Sequence, residues 1–246
     1  MRKNILVLLS VLIFWQILDY LALNRSGQFT SPFSLITSII NTIKNGEILS
    51  DALASIVRVS IGFVIATFLA IPLALISETN KIMRIFINPI IEVLRPIPPI
   101  AWIPISIIFF GLGDTSSYFI VFLGSFFPIF SNTYLGASSL PTIYKHIAET
   151  FELNKSDYYR KVLLKFSLPY IFTGLKIGIG MAWMSVIASE LVSGQSGLGY
   201  YIQINRLLLN LDNVIIGMVF IGFIGIVFNF GFTKLERKMI PWRKKI

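Results

Sequence analysis

Five ionisable side chains, Arg58, Glu92, Arg95, Lys176 and Glu190, stand inside long runs of apolar residues. In hydrocarbon each such charge costs about 2.5–3.5 kcal/mol on insertion scales, so it must meet an opposite charge, a wet cavity or the membrane interface. Glu92 and Arg95 are three apart and can pair on one helical face. Two readings of that pair stand: a structural ion pair that fixes its helix, or pathway side chains that meet an anionic solute. Lys176 can run its stem back to the nearer water layer or pair with a neighbouring run. Glu190 can hold a loop or close a gate. Arg58, Glu92, Arg95, Trp102 and Glu190 are the candidate pathway residues.

Other chemistry finds little support. With no cysteine there is no disulfide, no thiolate metal ligand and no cysteine nucleophile. The single His and the scattered acids have no metal-ligand spacing, so no metal residue is assigned. Ser, His and Asp occur in no arrangement that would mark a nucleophilic site, so no catalytic residue is assigned either. No GxxxxGK[ST] occurs, so the chain cannot hold ATP in a P-loop. A net charge of +9 could suit nucleic acid, but most basic residues flank apolar runs, where membrane topology places them. No nucleic-acid partner is expected.

The elements that must position these residues follow from the apolar runs. Of 246 residues 55% are hydrophobic and 13% charged, too few charges to coat a soluble domain. Runs of ~18 or more apolar residues read as membrane helices, and period-two alternation is weak, which argues against a barrel. The expectation is an all-α integral membrane protein with six transmembrane helices, near Ile5–Leu23, Leu53–Ser77, Ile85–Phe110, Ser117–Leu135, Phe166–Leu191 and Val214–Phe232. The first run follows Met-Arg-Lys and is followed by LALNRSGQF, which contains no small-residue cleavage site, so it reads as an uncleaved anchor. Of the 21 Lys and Arg, fifteen fall on one side of these spans and three, Arg25, Lys44 and Arg206, on the other. The positive-inside rule gives an N-in/C-in chain. The longest outside loops are then 24–51 and 193–210.

Proline and glycine add detail. Pro96, Pro98, Pro99 and Pro104 crowd the third span, and each removes a backbone donor that only protein or water can compensate. A broken helix beside a pathway follows, or a kink made for packing. Gly174, Gly178 and Gly180, with Ala182, suit close helix approach. Gly194, Gly197 and Gly199 make the following outer loop flexible enough to turn sharply.

One polar island interrupts this pattern, KHIAETFELNKSDYYRK at 145–161. Pro141 suits a first helical turn, and Ile143, Ile147 and Phe151 recur every four residues as an apolar stripe. The helix should falter near Asn154, and Ser156 can cap a second helix carrying Tyr159, Leu163 and Phe166 on one side. An apolar stripe on a solvated helix is a partner surface. The lone His146 lies here and suits a surface contact.

These residues resemble the permease subunits of ATP-binding-cassette importers, in the branch that serves nitrate, sulfonates, taurine and bicarbonate. The segments LRPIPPIAWIPISIIFFGLGD (94–114), LPYIFTGLKIGIGMAW (168–183) and SELVSGQSGLGYYI (189–202) carry the resemblance together. It implies a type I importer (MetI-like) permease fold: an N-terminal helix and outer loop over 1–50, a five-helix core over 51–233 with a cytoplasmic coupling segment at 141–165, and a basic tail at 234–246. It implies an ABC ATPase partner docked on His146, Ile147, Ala148, Thr150, Phe151, Glu152, Asn154, Ser156, Tyr159 and Arg160. A second permease copy, making a homodimer, and an extracytoplasmic solute-binding protein are implied as well. ATP and Mg would sit on the ATPase, with no cofactor on this chain. The family's coupling loop opens with Glu-Ala-Ala and has a Gly six residues after that Glu. Here His146, Ile147 and Ala148 stand at the first three positions and Glu152 at the fourth. Asn154, tolerant of the left-handed conformation, is expected to take over the Gly's role. In a bacterial inner membrane, among lipid, the chain would carry a small oxyanion or sulfonate, or alternatively a vitamin precursor. The rivals are an ion-gradient secondary transporter, for which Glu92 is almost the only acid at depth, and a membrane scaffold.

Overall fold

The computed structural model describes residues 32–241, together with Ser10, Ile13, Phe14, Gln16 and Ile17. Most of the expected first span at Ile5–Leu23, all but those five residues, and the last residues of the basic tail lie outside the described residues. The described chain is helical: α1 Pro32–Asn45, α2 Glu47–Thr79, α3 Lys81–Leu94, a 3-10 turn Pro99–Trp102, α4 Ile103–Phe110, α5 Asp114–Ser138, α6 Thr142–Thr150, α7 Lys155–Ser193, α8 Leu198–Leu207 and α9 Leu211–Met239. Four of these, α2, α5, α7 and α9, are long and apolar enough to cross a membrane.

The expected third span is a bent pair. Asn80 ends α2 in extended conformation and starts α3, its side chain accepting from the N–H groups of Ile82 and Met83. α3 then gives way after Leu94, and the chain turns by 95° into Pro99–Phe110. Pro98 precedes Pro99, which disfavours helical conformation, and it sits at φ −64°, ψ 141°. The proline cluster therefore breaks the span, as its composition predicts.

α5 is the central helix, packed between α2 and α7. Small residues set the distances. A Cβ built on Gly174 would lie 3.1 Å from Ile129 Cα and 3.2 Å from Pro128 O, and one on Gly178 2.9 Å from Ile129 Cγ1. Ala182 continues this stripe, fully buried. Gly180 has nothing near it and takes no part in the packing. On α2 a second small-residue stripe runs through Ser55, Gly62, Ala66, Ala70, Ala74 and Ser77, all buried. There a Cβ on Gly62 would meet Tyr118 O at 2.8 Å. Close approach of this kind is how apolar helices associate where lipid offers no hydrophobic drive.

α9 is peripheral, with only Ile216 and Gly217 buried. It is tied on by Lys176 to Glu236 at 2.9 Å, by Trp183 Nε1–H donating to Ile221 O at 3.0 Å, and by edge-to-face contacts of Trp183 with Phe228 and Phe63 with Phe232. The pairing read for Lys176 thus forms, with the last span. Two expected outer loops contain helices. α1 lies within 24–51, where Leu35 is buried and Ser38 donates to Asp212 at 3.2 Å. α8 lies within 193–210, its Leu198 and Tyr201 buried. Each is amphipathic at a 3.6-residue period and packs on the bundle end, a tertiary contact that no turn residue signals.

Candidate functional site

Three places collect the sequence-derived candidates, and they are separate. At the bundle end opposite the polar island, Arg58 of α2 is 5% exposed and Glu190 of α7 is 1% exposed. Arg58 Nη1 donates to Glu190 Oε1 at 2.8 Å and to Ser196 O at 2.7 Å, Nη2 donates to Ser196 Oγ at 2.6 Å, and Nε donates to Asp114 Oδ1 at 2.7 Å. The Ser55 hydroxyl reaches both Glu190 oxygens, at 2.8 and 2.9 Å, and accepts from Leu198 N–H. Gly199 N–H donates to Glu190 at 2.9 Å, and Gly197 N–H donates to Asp51 at 2.7 Å.

The cluster fastens the loop 194–199 to α2, α5 and α7. Its glycines serve close approach more than flexibility. Gly197 takes φ +104°, a conformation costly for any side chain, and a Cβ on it would strike the Glu190 carboxylate. A Cβ on Gly199 would lie 2.6 Å from Ile187 O. Arg58 and Glu190 are thus engaged with each other and with this loop. Asp51, Ser55, Asp114 and Ser196 are the members that sequence reasoning missed. Asp51, Ser55 and Arg58 do recur at intervals of four and three along α2, which places them on one helical face.

The second place is a cleft of two cavities, of about 280 and 390 Å³. The first is walled by Gly124, Phe127 and Pro128 of α5, Ile177 and Met181 of α7, and Ile97 and Pro99 of the break. The second runs along Tyr134, Leu135 and Ser138 of α5 towards the island end, facing Asn88, Ile91 and Glu92 of α3. Arg95, Ser131 and Asn132 line both. The ion pair expected between Glu92 and Arg95 does not form: among the described residues neither has an opposite charge within 4 Å. Both are exposed on the cleft side of the helix break. The i, i+3 spacing permits the pair and Arg95 is still helical, but Arg95 lines both cavities whereas Glu92 lines only the second. Trp102 is half-buried in the 3-10 turn, its indole N–H without an acceptor, and it does not line the two cavities.

The third place is the island. Every residue of α6 is exposed except Ala148, which is 5% exposed. The stripe of Ile143, Ile147 and Phe151 faces outward, at 57, 46 and 74% exposure. Thr150 donates back to His146 O, and His146 itself is exposed. The helix ends in a Schellman turn: Leu153 N–H bonds Ala148 O and Glu152 N–H bonds Glu149 O. Glu152 itself takes the left-handed conformation, φ 51°, while Asn154 is extended at φ −67°, ψ 160°. The expected transfer of the glycine role to Asn154 is therefore corrected. Asn154 is instead the cap of the second helix, accepting from Asp157 N–H at 2.8 Å, where Ser156 was expected. A π-helical stretch, Tyr158–Leu163, follows and carries Tyr159 and Arg160. Leu163 packs there with Leu75 of α2 and Ala137 of α5, and Tyr159 meets Thr79.

Among the described residues no group of three or more His, Cys, Asp or Glu stands together to hold a metal ion. Residues 62–241 match the family described as "Binding-protein-dependent transport system inner membrane component". A putative ABC transporter permease protein of Methanocaldococcus jannaschii is 40% identical over 211 residues, 85% of this chain and 79% of that protein. The nitrate import permease protein NrtB of a Synechocystis species is 34% identical over 192 residues, 78% of this chain and 70% of that protein. Among solved structures, an inward-facing MetNI methionine ABC transporter superposes with a TM-score of 0.70 at 15% identity, covering 80% of this chain and 97% of that one, a likeness of fold alone. With an all-helical bundle of that fold and a matching sequence over most of its length, the chain belongs to the binding-protein-dependent transport system inner membrane components: it is a multi-pass permease subunit of an ABC importer, and not an enzyme.

Proposed function

We propose that two copies of this permease enclose one pathway in the cell membrane and that each docks one ATPase through α6 and the turn after it. The observation that carries this reading is α6 itself. Its apolar stripe is uncovered, on a polar segment too short and too charged to lie in hydrocarbon. The chain just beyond it is locked to α2 and α5 through Leu163, Leu75 and Ala137. Force applied to α6 would pass to three spans at once. ATP and Mg belong to the partner chain. The island then faces the cytoplasm, as the positive-inside asymmetry asks, with N- and C-termini on the same side. A solute-binding protein delivers cargo to the opposite end, over 24–51, 111–116 and 192–213. Lipid covers the exposed apolar faces of α2, α3, α4 and α9. The cargo is a small anion of the nitrate or sulfonate kind, supported by the nitrate-permease relative and by an arginine without a carboxylate partner in the cleft.

The docking residues divide by exposure. Ala148 is buried, so a substitution there perturbs the coupling segment itself. Ile147 and Phe151 face outward and test docking directly. Ile147→Glu and Phe151→Glu place a charge where an apolar contact is expected, which costs several kcal/mol if it is desolvated unpaired. The complex should lose its ATPase on purification, and ATP-driven uptake should fall at least about tenfold, while the permease still inserts. Normal co-purification and uptake by both variants would overturn the docking reading.

A further inference from the structure

The two cavities of the cleft share three residues, and all three are polar. Arg95, Ser131 and Asn132 form a neck between a largely apolar chamber and a passage towards the island end. The chamber offers no other charge: its remaining walls are Ile, Pro, Leu, Gly, Phe and Met. A guanidinium presents a planar fork of donors, a hydroxyl one donor and a primary amide two. The Asn132 amide already donates to Pro128 O at 2.8 Å, which fixes its place beside the neck and leaves it a second donor. Among the described residues Arg95 has no carboxylate within 4 Å, although charges inside apolar runs ordinarily pair.

We propose that this neck is a transient anion site within the permease. Arg95 takes a small oxyanion through its fork, with Ser131 and Asn132 completing the shell. The inference rests on the permease reading and adds the chemistry of the path inside it. Glu92 lies three residues before Arg95 and lines the second cavity but not the first. An anion leaving the neck towards the island end therefore meets a carboxylate. That charge keeps the site weak and opposes retention, and a conducting site must release what it binds. Asn88, whose side-chain oxygen lacks a donor, lines the same passage and gives it a further polar surface. Arg95 reaches this position on the last turn of α3: it is helical at φ −55°, ψ −38°, its N–H bonds Ile91 O at 2.8 Å, and the break that follows opens the space in front of it.

The site is tested on the whole permease–ATPase complex without nucleotide, with isotope-labelled nitrate and methanesulfonate as probes and binding read by NMR line broadening. Wild type should bind both weakly. Arg95→Gln should weaken binding by about tenfold or more, Arg95→Lys should recover part of it, and Glu92→Gln should tighten it severalfold. Arg95 is exposed, so these substitutions leave the fold intact. Equal binding by wild type and Arg95→Gln, or binding by neither, overturns the site. ATP hydrolysis stimulated by the loaded binding protein judges the permease reading separately. Stimulation kept in Arg95→Gln with nitrate import lost supports both readings. Nitrate import by Arg95→Gln at the wild-type rate sinks the anion site alone. A wild-type complex whose hydrolysis never responds to the binding protein sinks the permease reading.

Discussion

Arg58 and Arg95 carry the same guanidinium into different surroundings. Arg58 makes four hydrogen bonds to Glu190, Asp114 and Ser196, and its role is to hold a loop in place. Arg95 has no such partners and is exposed on a cleft. Burial and satisfaction, not depth or residue type, separate the structural charge from the available one. Removing one member of a buried pair leaves the other uncompensated and costs about 3–5 kcal/mol. Arg58→Ala should therefore lower the thermal unfolding temperature of the detergent-solubilised permease markedly. A double variant that also carries Glu190→Leu should lose less than the sum of the two single losses, because the two residues are coupled. Strict additivity would show that the pair is not a unit. Glu152 illustrates a different economy. It holds a left-handed conformation that costs a non-glycine residue roughly 1–2 kcal/mol, and the Schellman bonds of the preceding turn keep it there.

At the scale of elements, the helices are spaced by absent side chains. Gly174 and Gly178 lie four apart on α7 and meet Ile129 and Ser125 of α5, and Ala182, four residues on, continues the buried stripe. Gly180 sits on the same helix and meets nothing, so it serves as an internal control. Gly174→Val should force α5 and α7 apart and destabilise the bundle by about 1–3 kcal/mol, whereas Gly180→Ala should be near neutral. Thermal denaturation of both variants in one detergent checks this, and equal losses would refute the packing account. The bent third span belongs to this scale too. The prolines end α3 by geometry that no neighbour need impose, whereas α1 and α8 form because bundle surfaces await their apolar faces.

For the whole molecule the testable property is which end faces which compartment. The chain contains no cysteine, so single cysteines report without background. Lys81→Cys, exposed at the start of α3 on the island side, should react with an impermeant maleimide only after the membrane is opened. Leu208→Cys, exposed at the opposite end, should react in intact cells. The reverse pattern would invert the orientation and with it the proposed sides of the ATPase and the binding protein. The cleft that runs along α5 to Ser138 would then open outward.

Composition and run length alone determined that this is a helical membrane chain, where most of its spans lie and which segment is the polar island. Those features are local: a run of apolar residues must leave water, a proline cannot donate, and an apolar stripe at helical period needs a cover wherever it ends up. The partners of charges were beyond that reach. Glu92 and Arg95 are close in sequence yet form no ion pair among the described residues, while Arg58 and Glu190 meet across 132 residues. Only the tertiary structure decided that Asn154 caps, that Glu152 turns, that Ala148 faces inward and that Arg95 stands at a neck. Each of these outcomes depends on which neighbours supply a hydrogen bond, a charge or a surface. Sequence spacing limits such encounters, and three-dimensional packing selects among them.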